Sequence, residues 1–100
     1  MELRKVIMNP DTILIDVREP FEFSRGHAAK AINIPLDELP GLAKELAIKS
    51  TPLVLYCRSG MRSAQGVNFL RSQGFDNIYD GGSLDYMNEM LNLKEFRRAV

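Results

Sequence analysis

The stretch LYCRSGMRSAQG, residues 55–66, carries the one cysteine of the chain, Cys57. Arg58 stands beside it, Gly60 follows, and Arg62 comes after Met61. A thiol set among two arginines, two serines and a glycine is equipped to be an activated nucleophile. The thiolate is the reactive form, and N–H donors and positive charge favour it. Gly60 can adopt backbone angles that side chains resist, so the N–H groups of Ser59, Gly60, Met61 and Ser63 can turn inward as an anion-binding nest. The start of a following helix would reinforce that nest, and Arg58 and Arg62 add fixed charge. The ordinary fate of a free cysteine is burial as a small hydrophobe. A core position, however, does not call for this many polar and cationic neighbours. A reactive thiol is expected.

Such a loop needs elements to hold it. PLVLY (52–56) runs straight into Cys57, and TILIDV (12–17) is a similar apolar run. Short runs rich in branched residues fit strands buried on both faces, as in a parallel sheet covered by helices. AINIP (31–35) and NIYD (77–80) read as shorter strands bounded by turn residues. Helical segments lie between them. PFEFSR opens at Pro20 and stops at Gly26, and PGLAKELA, from Pro40, spaces Leu42, Ala43 and Leu46 helically. SAQGVNFLRSQG places Ala64, Val67 and Leu70 on one face and ends at Gly74. LDYMNEMLNLKEFRRAV reads as one or two helices with a basic end. The alternation predicts an α/β class with a mainly parallel sheet, as one unit over residues 1–100. In such sheets ligands collect outside the carboxyl ends of the strands, where Cys57 stands. The next helix is expected to begin near Ser63, with Ser63 a candidate cap.

Composition narrows the partners. One hundred residues suit one domain, and 45% apolar with 26% charged residues is a globular mix. Thirteen basic and thirteen acidic residues cancel, so no basic field recruits nucleic acid and none is expected as a partner. No apolar stretch approaches a membrane span, and MELRKVIMNPD lacks the apolar core and cleavage site of a signal peptide. A soluble, cytoplasmic monomer is expected. One cysteine makes neither an internal disulfide nor a cysteine zinc cluster, and with His27 alone it would make a poor metal site. No metal and no cofactor is expected.

Four stretches, ILIDVREPFEF, GHAAKAINIP, LVLYCRSGMRSAQ and GFDNIYDGG, resemble in order and spacing the single-domain rhodaneses (thiosulfate sulfurtransferases). The resemblance runs from about Ile13 to Tyr86 and is most specific at the cysteine loop. It implies a small central parallel sheet with helices on both sides and a cysteine that carries a persulfide. Cys57 would take the outer sulfur of thiosulfate or a similar donor, release sulfite, and pass the sulfur to cyanide or a thiol, small or on a protein. It also places Asp16 and Arg18 near the site, although a strand-end salt bridge serves that pair equally well.

Residue by residue, Arg58 is placed to attract an anionic donor and stabilise departing sulfite. Arg62 fits an inward pair with Asp16 or Glu22, locking the loop, slightly better than direct substrate contact. Ser59, Gly60, Met61 and Ser63 would contribute mainly backbone N–H groups to the substrate. His27 suits a hydrogen bond within a turn better than the role of general base. Met61, Met87 and Met90 could rim the site, although packing is the commoner use of methionine.

Two departures stand out. Lys30 occupies a usual glycine position, so that turn must be built differently or lie more exposed. Ser83 and Tyr86 stand where a bulky apolar residue and a tryptophan are usual, so the pocket wall is expected to be more polar, or filled by Leu84 and Met87. Two other classes compete. Cysteine phosphatases and some arsenate reductases cradle an oxyanion with Cys-x5-Arg. Here that last position is Ser63 and Arg62 arrives one residue early, making a cradle suited to one sulfur. A non-catalytic interaction module of the same fold would usually have lost its cysteine.

Overall fold

The computed structural model describes residues 2–44 and 50–99, with side chains for residues 3–44 and 50–92. Helix α1 (Glu2–Met8) leads into β1 (Ile13–Asp16), α2 (Pro20–Ser24) and β2 (Ile32–Asn33). A 3-10 turn (Leu36–Glu38) and α3 (Leu39–Leu42) follow, then β3 (Leu53–Cys57), α4 (Met61–Ser72), β4 (Ile78–Ser83) and α5 (Leu84–Ala99). The strands form one sheet in the order β2-β1-β3-β4, every pair parallel.

All five residues of the inner strand β3 are buried, and its alternation decides which helix covers which face. Leu53, Leu55 and Cys57 pack with Ile15, Val17, Leu39, Val67 and Leu70, beneath α3 and α4. Val54 and Tyr56 face the other way, with Leu14 and Met87 and against Val6, Ile7 and Leu91 of α1 and α5. Full burial of such side chains is worth roughly 1.5–3 kcal/mol each, which is why β3 reads as an unbroken apolar run. Helix α4 sits close to the sheet because Gly66 has no side chain. A Cβ there would come within 2.8 Å of Leu55 Cδ2 and 2.9 Å of Leu39 Cδ1. That close seat fixes the first turn of α4 over Cys57.

Several boundaries differ from the sequence reading. Helix α4 begins at Met61 and not near Ser63, because Gly60, at φ 101°, turns the chain into the helix at once. Ser63 is therefore no cap: it lies inside the first turn, and Gly60 holds the capping position. Strand β4 continues past Asp80 to Ser83, with a register shift opposite Leu55 and Tyr56. The α3 segment starts at Leu39, and Leu46 lies outside the described residues. The carboxyl-terminal stretch is one helix. Helix α1 was not expected from MELRKVIMNPD, whose apolar residues gain a face only against α5 and the sheet.

Candidate active site

Cys57 closes β3 and is fully buried. Its Sγ accepts hydrogen bonds from the Gly60 N–H at 2.9 Å and the Ser63 N–H at 3.4 Å, and its thiol lies 3.7 Å from Ser63 Oγ. The sulfur thus takes the place of a capping oxygen, satisfying a first-turn donor that the helix leaves free. Burial pushes the Cys57 pKa up, but the Ser63 N–H and hydroxyl, then the Gly60 and Ser59 N–H groups, outweigh it. The thiol ends below its ordinary value. Hydrogen-bond donors carry most of that lowering, and Arg62, although engaged by Glu22, adds a smaller charge–charge share.

Arg62 gives both terminal nitrogens to Glu22, at 2.7 and 3.0 Å, so of its two candidate carboxylates it has chosen the one on α2. Glu22 is set for this by the start of its own helix, where its side chain also accepts the Glu19 N–H at 2.9 Å. The Arg62 hydrogen bond is the main reason the Glu22 carboxyl drops from 4.5 to about 2. Arg58 is exposed and lines a cleft of about 470 Å³ with Arg18, Phe21, Glu22, Arg25, Gly26, Leu84 and Asp85. Ser59 is also exposed, as is Met61, at 73%.

Asp16 and Arg18 form a buried strand-end pair at 2.7 Å. Arg18 donates through Nε to both carboxylate oxygens, and its Nη2 donates both to Asp16 Oδ2 and to Gly26 O, each at 2.7 Å. The pair ties β1 to the end of α2, so Arg18 shows the cleft only one edge. No group of His, Cys, Asp and Glu that could hold a metal ion occurs among the described residues.

With this geometry in place, comparison with known proteins is informative. The profile of the rhodanese-like domain matches residues 1–89. The chain belongs to the rhodanese-like family. A rhodanese with anions from E. coli is 32% identical, with a TM-score of 0.69, covering 75% of this chain and 89% of that one. A rhodanese-related protein from Thermoplasma volcanium is 37% identical, with a TM-score of 0.65 and 79% of each chain covered. Among curated proteins, the tRNA uridine(34) hydroxylase of Photorhabdus laumondii is 33% identical over 92 residues, which is 85% of this chain and 26% of that protein. The same-named protein of Hamiltonella defensa is also 33% identical, over 86% of this chain and 26% of its own length. The chain thus spans about a quarter of the length of these curated relatives.

Within this rhodanese-like fold the departures find physical explanations. Lys30 adopts the left-handed backbone itself, at φ 69°, a strained conformation for a residue with a side chain, and is exposed. Ser83 does not make the wall polar, because its Oγ accepts the Tyr86 N–H at 3.0 Å and caps α5. Leu84 does line the cleft, whereas Met87 and Met90 are core residues and Met61 alone of the three is at the surface. His27 stacks on Phe23, ring centroids 3.6 Å apart, with Nδ1 2.9 Å from Phe23 O, a turn contact and nothing more.

Asp80 escaped the sequence reading. Its Oδ1 accepts the Ser63 hydroxyl at 2.8 Å and the Gly82 N–H at 2.9 Å. An acid just before Gly81-Gly82 was the available signal, and without the β3–β4 pairing it said nothing about Ser63.

Proposed function

We propose that this domain is a sulfurtransferase working through a Cys57 persulfide. The observation that carries the reading is one sulfur held by the Gly60 and Ser63 N–H groups at the start of α4. Those donors stabilise the thiolate as nucleophile and again as leaving group. The thiolate attacks the outer sulfur of thiosulfate or a similar donor. A new S–S bond forms, the old one breaks, and its electron pair leaves with sulfite. Cyanide or a thiolate then attacks the outer sulfur of the persulfide and returns Cys57 to its thiolate. Arg58, on the cleft rim, draws in the anionic donor; Arg62 keeps the loop closed through Glu22.

Phosphoryl chemistry is disfavoured on two grounds. The segment between Cys57 and α4 is shorter than the sequence suggested, and both terminal nitrogens of Arg62 are taken by Glu22. A second reading has support from the curated relatives, whose name specifies tRNA uridine hydroxylation. In that reading this chain is the cysteine-bearing module of a tRNA-modifying reaction. With no net charge it has little field of its own to grip a polyanion. The sulfur reading accounts for more of the site, and its chemistry needs no cofactor.

Intact mass after thiosulfate treatment tests the proposal. One added sulfur atom is expected, lost on adding cyanide, and absent in Cys57→Ser. An unchanged mass under excess thiosulfate, with Cys57 reduced, refutes it.

A further inference from the structure

Ser63 is fully buried, so its hydroxyl must find its partners inside the protein. Its oxygen lies 2.8 Å from Asp80 Oδ1, 3.0 Å from Gly60 O, 3.5 Å from Gly82 O and 3.7 Å from Cys57 Sγ. A hydroxyl has one proton to give. The carboxylate has the shortest contact, and a hydrogen bond to a charged acceptor is roughly twice as strong as one to a neutral oxygen. Asp80 Oδ1 is itself held in place by the Gly82 N–H at 2.9 Å. The Ser63 proton therefore points at Asp80, and its lone pairs face the sulfur. A thiol can donate into those lone pairs; a thiolate cannot.

We propose that Asp80 is a positioning residue that sets the direction of the Ser63 hydroxyl proton and so biases resting Cys57 toward the thiol. When the sulfur gives its proton to a base in solution, the Ser63 hydroxyl turns to donate to it, and Asp80 gives up that contact while keeping the Gly82 N–H. The chain from β4 through α4 to β3 is a two-position hydroxyl switch. It deepens the sulfurtransferase reading, since it rests on Cys57 being the reacting group.

The other charges around the sulfur make no hydrogen bond to it, although Arg62 couples to it through space. Arg62 of α4 is engaged by Glu22 of α2, and Arg18 by Asp16 of β1. Arg58, Arg25 and Asp85 sit on the cleft. Among the described residues, Asp80 is the carboxylate that hydrogen-bonds a side chain touching Cys57, and it has no salt-bridge partner.

The test is the pH dependence of Cys57 alkylation by iodoacetamide, which requires no sulfur transfer. Asp80→Asn keeps an oxygen for Ser63 and Gly82 but removes the charge. It should lower the alkylation midpoint by about one pH unit, giving about fivefold faster alkylation one unit below the native midpoint. Asp80→Ala, which drops the contact altogether, should lower it at least as far. In a Ser63→Ala background the effect of Asp80→Asn should fall to less than half. An unmoved midpoint in both single Asp80 variants overturns the proposal. So does a full shift in the Ser63→Ala background, which would mean that the charge acts directly on the sulfur. Failure of the persulfide experiment would leave these midpoints readable, so the two proposals can fail separately.

Discussion

Replacing Arg62 by Ala removes the clamp between α4 and α2 while leaving the backbone donors to Cys57 in place. The Glu22 carboxyl falls from 4.5 to about 2 on folding, chiefly through the Arg62 hydrogen bond, partly offset by burial and aided by the Glu19 N–H. Taken whole, that fall would be worth an upper figure of about 3 kcal/mol. Arg62 is 34% exposed and Glu22 15%, and Glu19 supplies part of the effect. Solvent screening and that sharing reduce the clamp to about 1–1.5 kcal/mol. The sign follows from a depressed carboxylate. Its contribution is fully present above pH 4.5 and is lost as pH falls toward 2. Urea unfolding at pH 7 should show Arg62→Ala less stable by about 1–1.5 kcal/mol, or about 4–8 °C in Tm for each kcal/mol. At pH 2 the gap should shrink to less than half. A gap of equal size at both pH values would show that the loss comes from packing and not from the ion pair. The variant should still take up sulfur from thiosulfate, since Gly60 and Ser63 hold the sulfur through their backbone.

Two further outcomes are expected. Arg58→Ala should raise the KM for thiosulfate about tenfold with little change in kcat, an effect that shrinks with added salt, and should leave Tm nearly unchanged because the side chain is exposed. Steady-state kinetics at two ionic strengths checks this. Lys30→Gly should raise stability by roughly 0.5–1 kcal/mol in urea unfolding, because glycine accepts the φ of 69° that Lys30 is forced to adopt.

The architecture was legible because its signals are local or periodic. A strand buried on both faces must be apolar throughout, and PLVLYC is; residues 53–57 are all buried. The nucleophile was legible for the same kind of reason, because Cys57, Gly60 and Ser63 lie within one turn of backbone and their mutual geometry depends on little else. Helix α1 was not legible, since its apolar residues become a face only once α5 and the sheet are beside them. The helix start at Met61 depended on Gly60 taking φ 101° directly, a choice that the residue permits but does not impose. The partner of Arg62 was narrowed to two carboxylates by sequence, and the approach of α2 to α4 selected Glu22. Asp80 lay beyond sequence altogether. Its contact with Ser63 exists because parallel β4 pairs with β3 and carries Asp80 alongside the first turn of α4, and no pattern along the chain encodes a meeting between elements brought together by sheet registry.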